Sequence, residues 1–223
     1  MLVEPPRVER FAIRPLSPAE ATKLLDTVRG DRLEALYRVA LSLGLRQGEA
    51  LGLRWQDIDL DARTLRVAVA LQAANGTLTL VEPKTENARR TLSLPLALVS
   101  ALKAHRAGQA AERLKLGASW QDNGLVFCTR SGTPIHPRNL IRAFQTVRVR
   151  AGLPPMRFHD LRHSCLSLLA AQGIPARVAM EIAGHSDIRL TQNVYTYVYD
   201  EAKRQAADAM DRLFPDSKVV ASS

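Results

Sequence analysis

With 223 residues the chain is long enough for one large domain or two small ones and buries roughly 70% of its extended surface on folding, which excludes a disulfide-held miniprotein. Lys and Arg number 31 against 22 Asp and Glu, and Arg dominates the resulting +9, so a polyanionic partner is favoured over a neutral one. Hydrophobic residues at 46% and charged residues at 24% exclude bulk disorder, and no uninterrupted apolar run is long enough to span a bilayer.

The chain opens with an extended lead-in, residues 1–16, in which Pro5, Pro6 and Pro15 remove backbone donors. It lacks the compact apolar stretch of a signal peptide, so a reducing intracellular compartment is expected. Cys128 and Cys165 make neither a disulfide framework nor a thiolate zinc site. Ser17-Pro18-Ala19-Glu20 supplies an N-cap, a first-turn proline and a reciprocal capping glutamate, and Ala21, Leu24, Leu25 and Val28 continue the helix. A second apolar helix is predicted over residues 33–43, stopped by Gly44, and a short one over 47–51 sets Glu49 close behind Arg46.

After Trp55 the period changes from helical to alternating. Ile58 and Leu60, then Leu65, Val67 and Val69, then Leu78 and Leu80 read as strands, with Asn75-Gly76 as the tight connection between the last two. Thr91-Leu92-Ser93-Leu94 adds a strand beyond Lys84, which makes a small antiparallel sheet. Pro95 ends it, and Leu98, Leu102 and Ala110 predict a long helix to about Leu116. Leu125-Val126-Phe127 reads as a short buried strand before the turn Ser131-Gly132-Thr133-Pro134. A helix over 137–151 carries Leu140, Ile141, Phe144 and Val147 on its apolar side, and two more are expected over 160–172 and 175–182, with Gly173 and Gly184 as stops. Final helices are expected over 187–195 and 201–213, the latter ending before Pro215, and a polar tail over 214–223. The fold class is mainly α with a small antiparallel β-sheet, in one domain spanning 17–213.

Charge concentrates locally. Arginines at 138, 142, 148, 150, 157 and 162 face the single acidic residue Asp160, a field that can hold nucleic acid by counterion release and clamp phosphate with paired donors. An ordinary solvated helix surface is the alternative reading of the run by itself, and the spacing of the catalytic motifs must decide. His159 and His163 in HDLRH lie four apart on one helix face, yet Asp160 is not the glutamate of the HExxH metalloprotease arrangement, and a cation at Arg162 between two metal ligands is repulsive. The pattern therefore points to phosphate rather than to metal.

Taken in order, GLRQGE, PKT, HDLRH, AGHSD and the tyrosine after them resemble the catalytic domain of tyrosine site-specific recombinases, which include phage integrases and chromosome-dimer recombinases. The resemblance runs from about Leu16 to Tyr199. It implies that Arg46 and Arg162 bind the scissile phosphate, that Glu49 supports them, and that Lys84 donates a proton to the leaving 5′ oxygen. His159 and His185 match the two active-site histidine positions, His163 backs them, and Tyr195, rather than Tyr197 or Tyr199, matches the nucleophile. Attack by its phenolate forms a 3′-phosphotyrosyl bond and conserves the bond energy for rejoining, so neither ATP nor a catalytic metal nor any other cofactor is implied.

The same resemblance implies double-stranded DNA carrying recombination sites as partner, with Arg138, Arg142, Arg148, Arg150 and Arg157 as further DNA-binding candidates, and no membrane. It also implies self-assembly on DNA, for which Ala202, Ala206, Met210 and Leu213 offer an apolar helical face, and a cytoplasmic, nucleoid-associated location. Recombinases of this kind commonly carry a further N-terminal domain that embraces DNA. Only about 16 residues precede the resemblance here, so a catalytic fragment or a naturally short member is expected. The reading of a different class is a catalytically silent DNA-binding or architectural module; a metal-dependent hydrolase lacks a clear third ligand.

Overall fold

The computed structural model describes residues 14–74, 76–82 and 89–184, together with Met210 and Arg212. Helix α1 (Pro18–Thr27) starts at the expected capping box: the Glu20 N–H donates to Ser17 Oγ at 3.2 Å and the Ser17 N–H donates to Glu20 Oε2 at 2.9 Å. Leu16, just ahead of it, is already buried in the core, and its N–H donates to the buried Ser164 hydroxyl at 3.0 Å. Helix α2 (Glu34–Leu43) buries seven of its ten residues and ends at Gly44, whose φ of 59° is left-handed. Helix α3 (Gln47–Leu51) follows after Gly44, Leu45 and Arg46.

Strands β1 (Ile58–Asp59), β2 (Thr64–Val67) and β5 (Arg90–Ser93) form one antiparallel sheet in the order β1-β2-β5, and β3 (Ala70–Ala74) pairs with β4 (Thr77–Val81) in a separate hairpin. The single sheet expected from the sequence is thus two. The alternation Leu65, Val67, Val69 does not continue as one strand, because the chain leaves the first sheet after Val67 and Ala70 begins the second. The reason lies in α3: a Cβ on Gly48 would sit 2.8 Å from the Leu71 carbonyl oxygen and one on Gly52 would sit 2.9 Å from the Leu71 nitrogen. Two glycines one turn apart let the β3 backbone lie directly on the helix, and the hairpin takes that contact. Its register, Ala74 opposite Thr77, leaves the two-residue connection expected at Asn75-Gly76, of which Asn75 lies outside the described residues.

Helix α4 (Leu96–Leu116) buries Leu98, Val99 and Leu102 near its start, whereas Ala110, expected on the apolar side, is exposed. Leu125, Val126 and Phe127 are buried as expected but form no strand: Leu125 makes an isolated bridge to Arg54, and the next bridge, Cys128 to Pro134, lies just beyond them. Helix α5 (Pro137–Arg150) buries Leu140, Phe144 and Val147; Ile141, assigned to the same face, is 42% exposed because it points one residue off the stripe. Helices α6 (Asp160–Ala171) and α7 (Ala176–Ala183) complete the described body, and α2 packs against both α4 and α6 in its centre. The final helices expected after Gly184 fall outside the described residues except for Met210 and Arg212, which are helical. Among the described residues no helix is long and apolar enough to cross a membrane.

Candidate active site

The α2–α3 turn, the start of β5 and the end of α7 meet at one carboxylate. Glu49, on α3, is 4% exposed and reaches back to the helix start, where Oε2 accepts the Arg46 N–H at 2.9 Å and Oε1 accepts Arg46 Nη1 at 2.8 Å. One side chain thus both braces Arg46 and caps the short helix. Arg90 approaches from β5, with Nη2 donating to Oε2 at 3.0 Å and Nη1 to Oε1 at 3.4 Å. Burial pushes the Glu49 carboxyl up, but the hydrogen bond and charge of Arg90, then the N–H and charge of Arg46, outweigh it and hold its pKa below the ordinary value.

Both arginines also hold the C-terminus of α7. Arg46 Nη2 donates to the Gly184 carbonyl at 3.1 Å and Arg90 Nε to the Ile182 carbonyl at 2.8 Å, so two carbonyls at the negative end of the helix receive cationic donors. Gly184 ends α7 in the left-handed region at φ 66°, and a Cβ there would meet Arg90 Nη1 at 2.7 Å. The left-handed φ favours glycine there, and the absent side chain lets the guanidinium lie against the backbone.

Arg162, in the first turn of α6, is 1% exposed, and its Nη1 donates to the Gly44 carbonyl at 2.6 Å. Burial, then the nearby positive charge of Arg46 and Arg90, draws its pKa down to about 10 against the pull of Glu49. Three guanidinium groups therefore stand around one carboxylate, an excess of positive charge suited to an oxyanion. The basic HDLRH segment flanks them. Asp160 is buried and accepts the Arg157 N–H at 2.7 Å and Arg157 Nη2 at 2.9 Å, which fixes the entry into α6. The rings of His159 and His163 meet edge to face with centroids 5.4 Å apart.

His159 is exposed by area, yet the protein packed around its ring lowers its pKa, and His163 and Arg162 lower it further. His163 is lowered chiefly by burial, against the pull of Asp160. Unfolded imidazoles titrate near 6.5 and the folded pair only below that, so the unfolded chain takes up more protons as pH falls and folding stability is lost over that window. Melting temperatures of the wild type and of the H159Q/H163Q variant, measured from pH 8 to pH 5, should therefore diverge below about pH 6.5, with the wild type falling more steeply. Parallel curves would reject the depressed imidazole pKa values.

The other expected site residues divide into those the structure describes and those it does not. Lys84, His185 and Tyr195 lie outside the described residues. Arg138 and Arg142 stand exposed one turn apart on α5, and their side chains make no hydrogen bond or ion pair among the described residues. Arg148 instead donates to Gln145 Oε1 and the Leu153 carbonyl, Arg150 to the Thr27 carbonyl, and Arg157 to Asp160. The uniform basic run of the sequence is thus partly spent on holding the fold. Among the described residues no three His, Cys, Asp or Glu side chains are grouped so as to hold a metal ion. Arg90 was missed by sequence reasoning. The signal was its alternation with Leu92, the buried residue two positions on in β5, which puts an arginine on an inward-facing strand position.

The phage integrase family profile matches residues 14–202. A XerC-like tyrosine recombinase of Caldanaerobacter subterraneus subsp. tengcongensis is 36% identical over 91% of this chain and 55% of its own length. The ICEBs1 integrase of Bacillus subtilis is 30% identical over 88% of this chain and 54% of its own. The chain thus spans about half the length of these curated relatives. In three dimensions it resembles the Tn1549 transposon integrase bound to transposon right-end DNA, with a TM-score of 0.74 and 22% identity over 90% of this chain and 68% of that one. The XerA recombinase gives a TM-score of 0.68 with 23% identity over 96% of this chain and 67% of that one. The mainly helical body with its small antiparallel sheets is therefore the catalytic-domain fold of tyrosine recombinases. Fold, ordered motifs and the match over most of its length agree that the chain belongs to the phage integrase family.

Proposed function

We propose that the chain cuts and rejoins DNA strands at specific sites through a 3′-phosphotyrosyl intermediate, as a tyrosine recombinase. The observation that carries the reading is the convergence of Arg46, Arg90 and Arg162 on the buried Glu49, which gathers the first motif and the histidine-rich motif into one cationic cluster in a chain of this family. Arg46 and Arg162 hold the scissile phosphate and stabilise the charge of its pentavalent transition state. The Tyr195 oxygen attacks phosphorus, the phosphorus–oxygen bond to the 5′ side breaks, and Lys84 or a histidine gives the departing oxygen its proton. Rejoining is the same exchange in reverse, so it consumes no ATP and uses no metal.

Residues 17–213 form the catalytic unit, with 1–16 as lead-in and 214–223 as tail. Arg138 and Arg142, whose side chains are exposed and uncommitted among the described residues, serve as backbone contacts to duplex DNA; Arg148, Arg150 and Arg157 contribute mainly charge. His163 buttresses His159, and His185 follows the clamped end of α7. Assembly on DNA uses the C-terminal helix, where Met210 is 54% exposed. The protein works where the DNA is, in the cytoplasm at the nucleoid.

The test is to incubate the full chain with a nicked suicide substrate carrying a candidate site, with and without prior chelation. A denaturation-resistant protein–DNA band is expected in both samples. Tight DNA binding without any adduct would favour the silent DNA-binding module, and adduct-free hydrolysis that depends on added metal would overturn the mechanism.

A further inference from the structure

Arg46 and Arg90 share Glu49 but differ in how they are held. The Arg46 side chain is 43% exposed, whereas that of Arg90 is 8% exposed, with Nε on the Ile182 carbonyl and both Nη atoms on the carboxylate. Arg46 gives one N–H to Glu49 Oε1 and one to the Gly184 carbonyl; where it swings its Nη edge toward a phosphate to clamp it with paired donors, its hold on both weakens. A carboxylate that is 4% exposed then needs another cation to remain ionised, and the end of α7 needs another donor. Arg90 supplies both from a position that the phosphate does not have to reach.

We propose that Arg90 is a positioning residue for DNA cleavage: it fixes Glu49 and the last turn of α7, so that Arg46 can exchange its Gly184 contact for the scissile phosphate without disturbing the site. The proposal rests on the strand-cleaving function above. It assigns Arg90 no contact with DNA. Its bonds to Glu49 and the Ile182 carbonyl join β5, which follows the Lys84 segment, to α3 and to the helix end that precedes His185. The close approach of Gly184 to the guanidinium leaves no room for a side chain between them, so a shift of Arg90 is passed directly to that backbone.

Among the described residues the charged groups that act on Glu49 are Arg90 from β5, Arg46 from the start of α3 and Arg162 from α6. Arg90 is the strongest of those that keep its carboxyl ionised, so its removal raises the pKa of a buried acid and protonation begins at higher pH. The loss should therefore deepen as pH falls, which a packing defect would not produce.

Arg90→Met, Arg90→Lys, Glu49→Gln and the double variant E49Q/R90M should be compared with wild type in single-turnover cleavage of the suicide substrate at pH 8 and pH 6, alongside DNA affinity and circular dichroism. R90M should cleave about 10- to 100-fold more slowly at pH 8, the range for losing a group that orients a site residue, with DNA affinity within about threefold. Its deficit should grow at pH 6, R90K should recover part of the rate, and R90M should add little once Glu49 is already Gln. Wild-type cleavage by R90M at both pH values would overturn the proposal. So would a pH-independent loss that multiplies fully with E49Q or that follows lost folding, since that is a structural role. Absence of an adduct from wild type itself would instead remove the enzymatic reading, and this proposal with it.

Discussion

Replacing Tyr195 by phenylalanine should eliminate the covalent DNA adduct while leaving the fold and DNA affinity near wild type. The substitution removes one oxygen and little apolar volume, so the basic surface that holds the backbone is unchanged while the attacking atom is gone. The rate of adduct formation should fall by more than about three orders of magnitude if Tyr195 is the nucleophile, the size of loss seen when a nucleophile is removed. Tyr197 and Tyr199 stand two and four residues further on and offer the same phenol, which makes the experiment discriminating. Peptide mapping of the wild-type adduct should return Tyr195; an adduct persisting in Y195F, or mapped to either neighbour, would sink the assignment.

The second large effect is expected at Arg162, where catalysis and stability should separate. Arg162→Met should reduce single-turnover cleavage by about two to three orders of magnitude, the loss typical of one preorganised donor to transition-state charge. Its effect on folding should be small. A guanidinium drawn from 12.5 down to about 10 carries its charge in the folded protein at a cost on the order of 3 kcal/mol, with burial the main cause and Arg46 and Arg90 adding repulsion. Methionine removes that cost but orphans the Gly44 carbonyl, which accepts Arg162 Nη1 at 2.6 Å, and an unmet buried acceptor costs about 1–3 kcal/mol. The two terms roughly cancel. Thermal melts should thus show R162M within a few degrees of wild type while its cleavage is nearly lost. Near-wild-type cleavage in the folded variant would remove Arg162 from the phosphate site, and a collapse in melting temperature would mean that the cation is structural.

Such a site illustrates why a protein keeps a strained arrangement of charge. Without DNA, the positive charge of Arg46, Arg90 and Arg162 is offset locally by the single carboxylate of Glu49, and the side chain of Arg46 rests on the Gly184 carbonyl. On the function proposed above, an arriving phosphate would supply the missing negative charge and turn repulsion carried by the free protein into attraction in the complex.

Much of this was legible in the linear chain where the physics is local. Ser17 and Glu20 announce α1 because a cap needs only the four residues it joins, and Gly44 announces the end of α2 because a left-handed residue is required there. Glu49 could be read as the partner of Arg46 because a carboxylate three residues into a helix reaches its own N-terminus. The split of the expected sheet was not legible, since it depends on the bare Gly48 and Gly52 face of α3 meeting Leu71, and alternation along a strand says nothing about what lies beneath it. Ile141 and Ala110 failed for a related reason: an apolar residue satisfies a helical pattern whether or not another element covers it.

The sequence by itself determined the helices up to α7 to within a residue or two, most of the strand signals and the ordered motifs that mark the family, because caps, turns and periodicity act over a few residues. Only the tertiary structure decided that Arg90 belongs to the site. Its partners Glu49 and Ile182 lie 41 and 92 residues away, and a buried guanidinium takes its role from whichever carboxylate and carbonyls packing brings within about 3 Å of it, a sum over distant segments that no local pattern encodes.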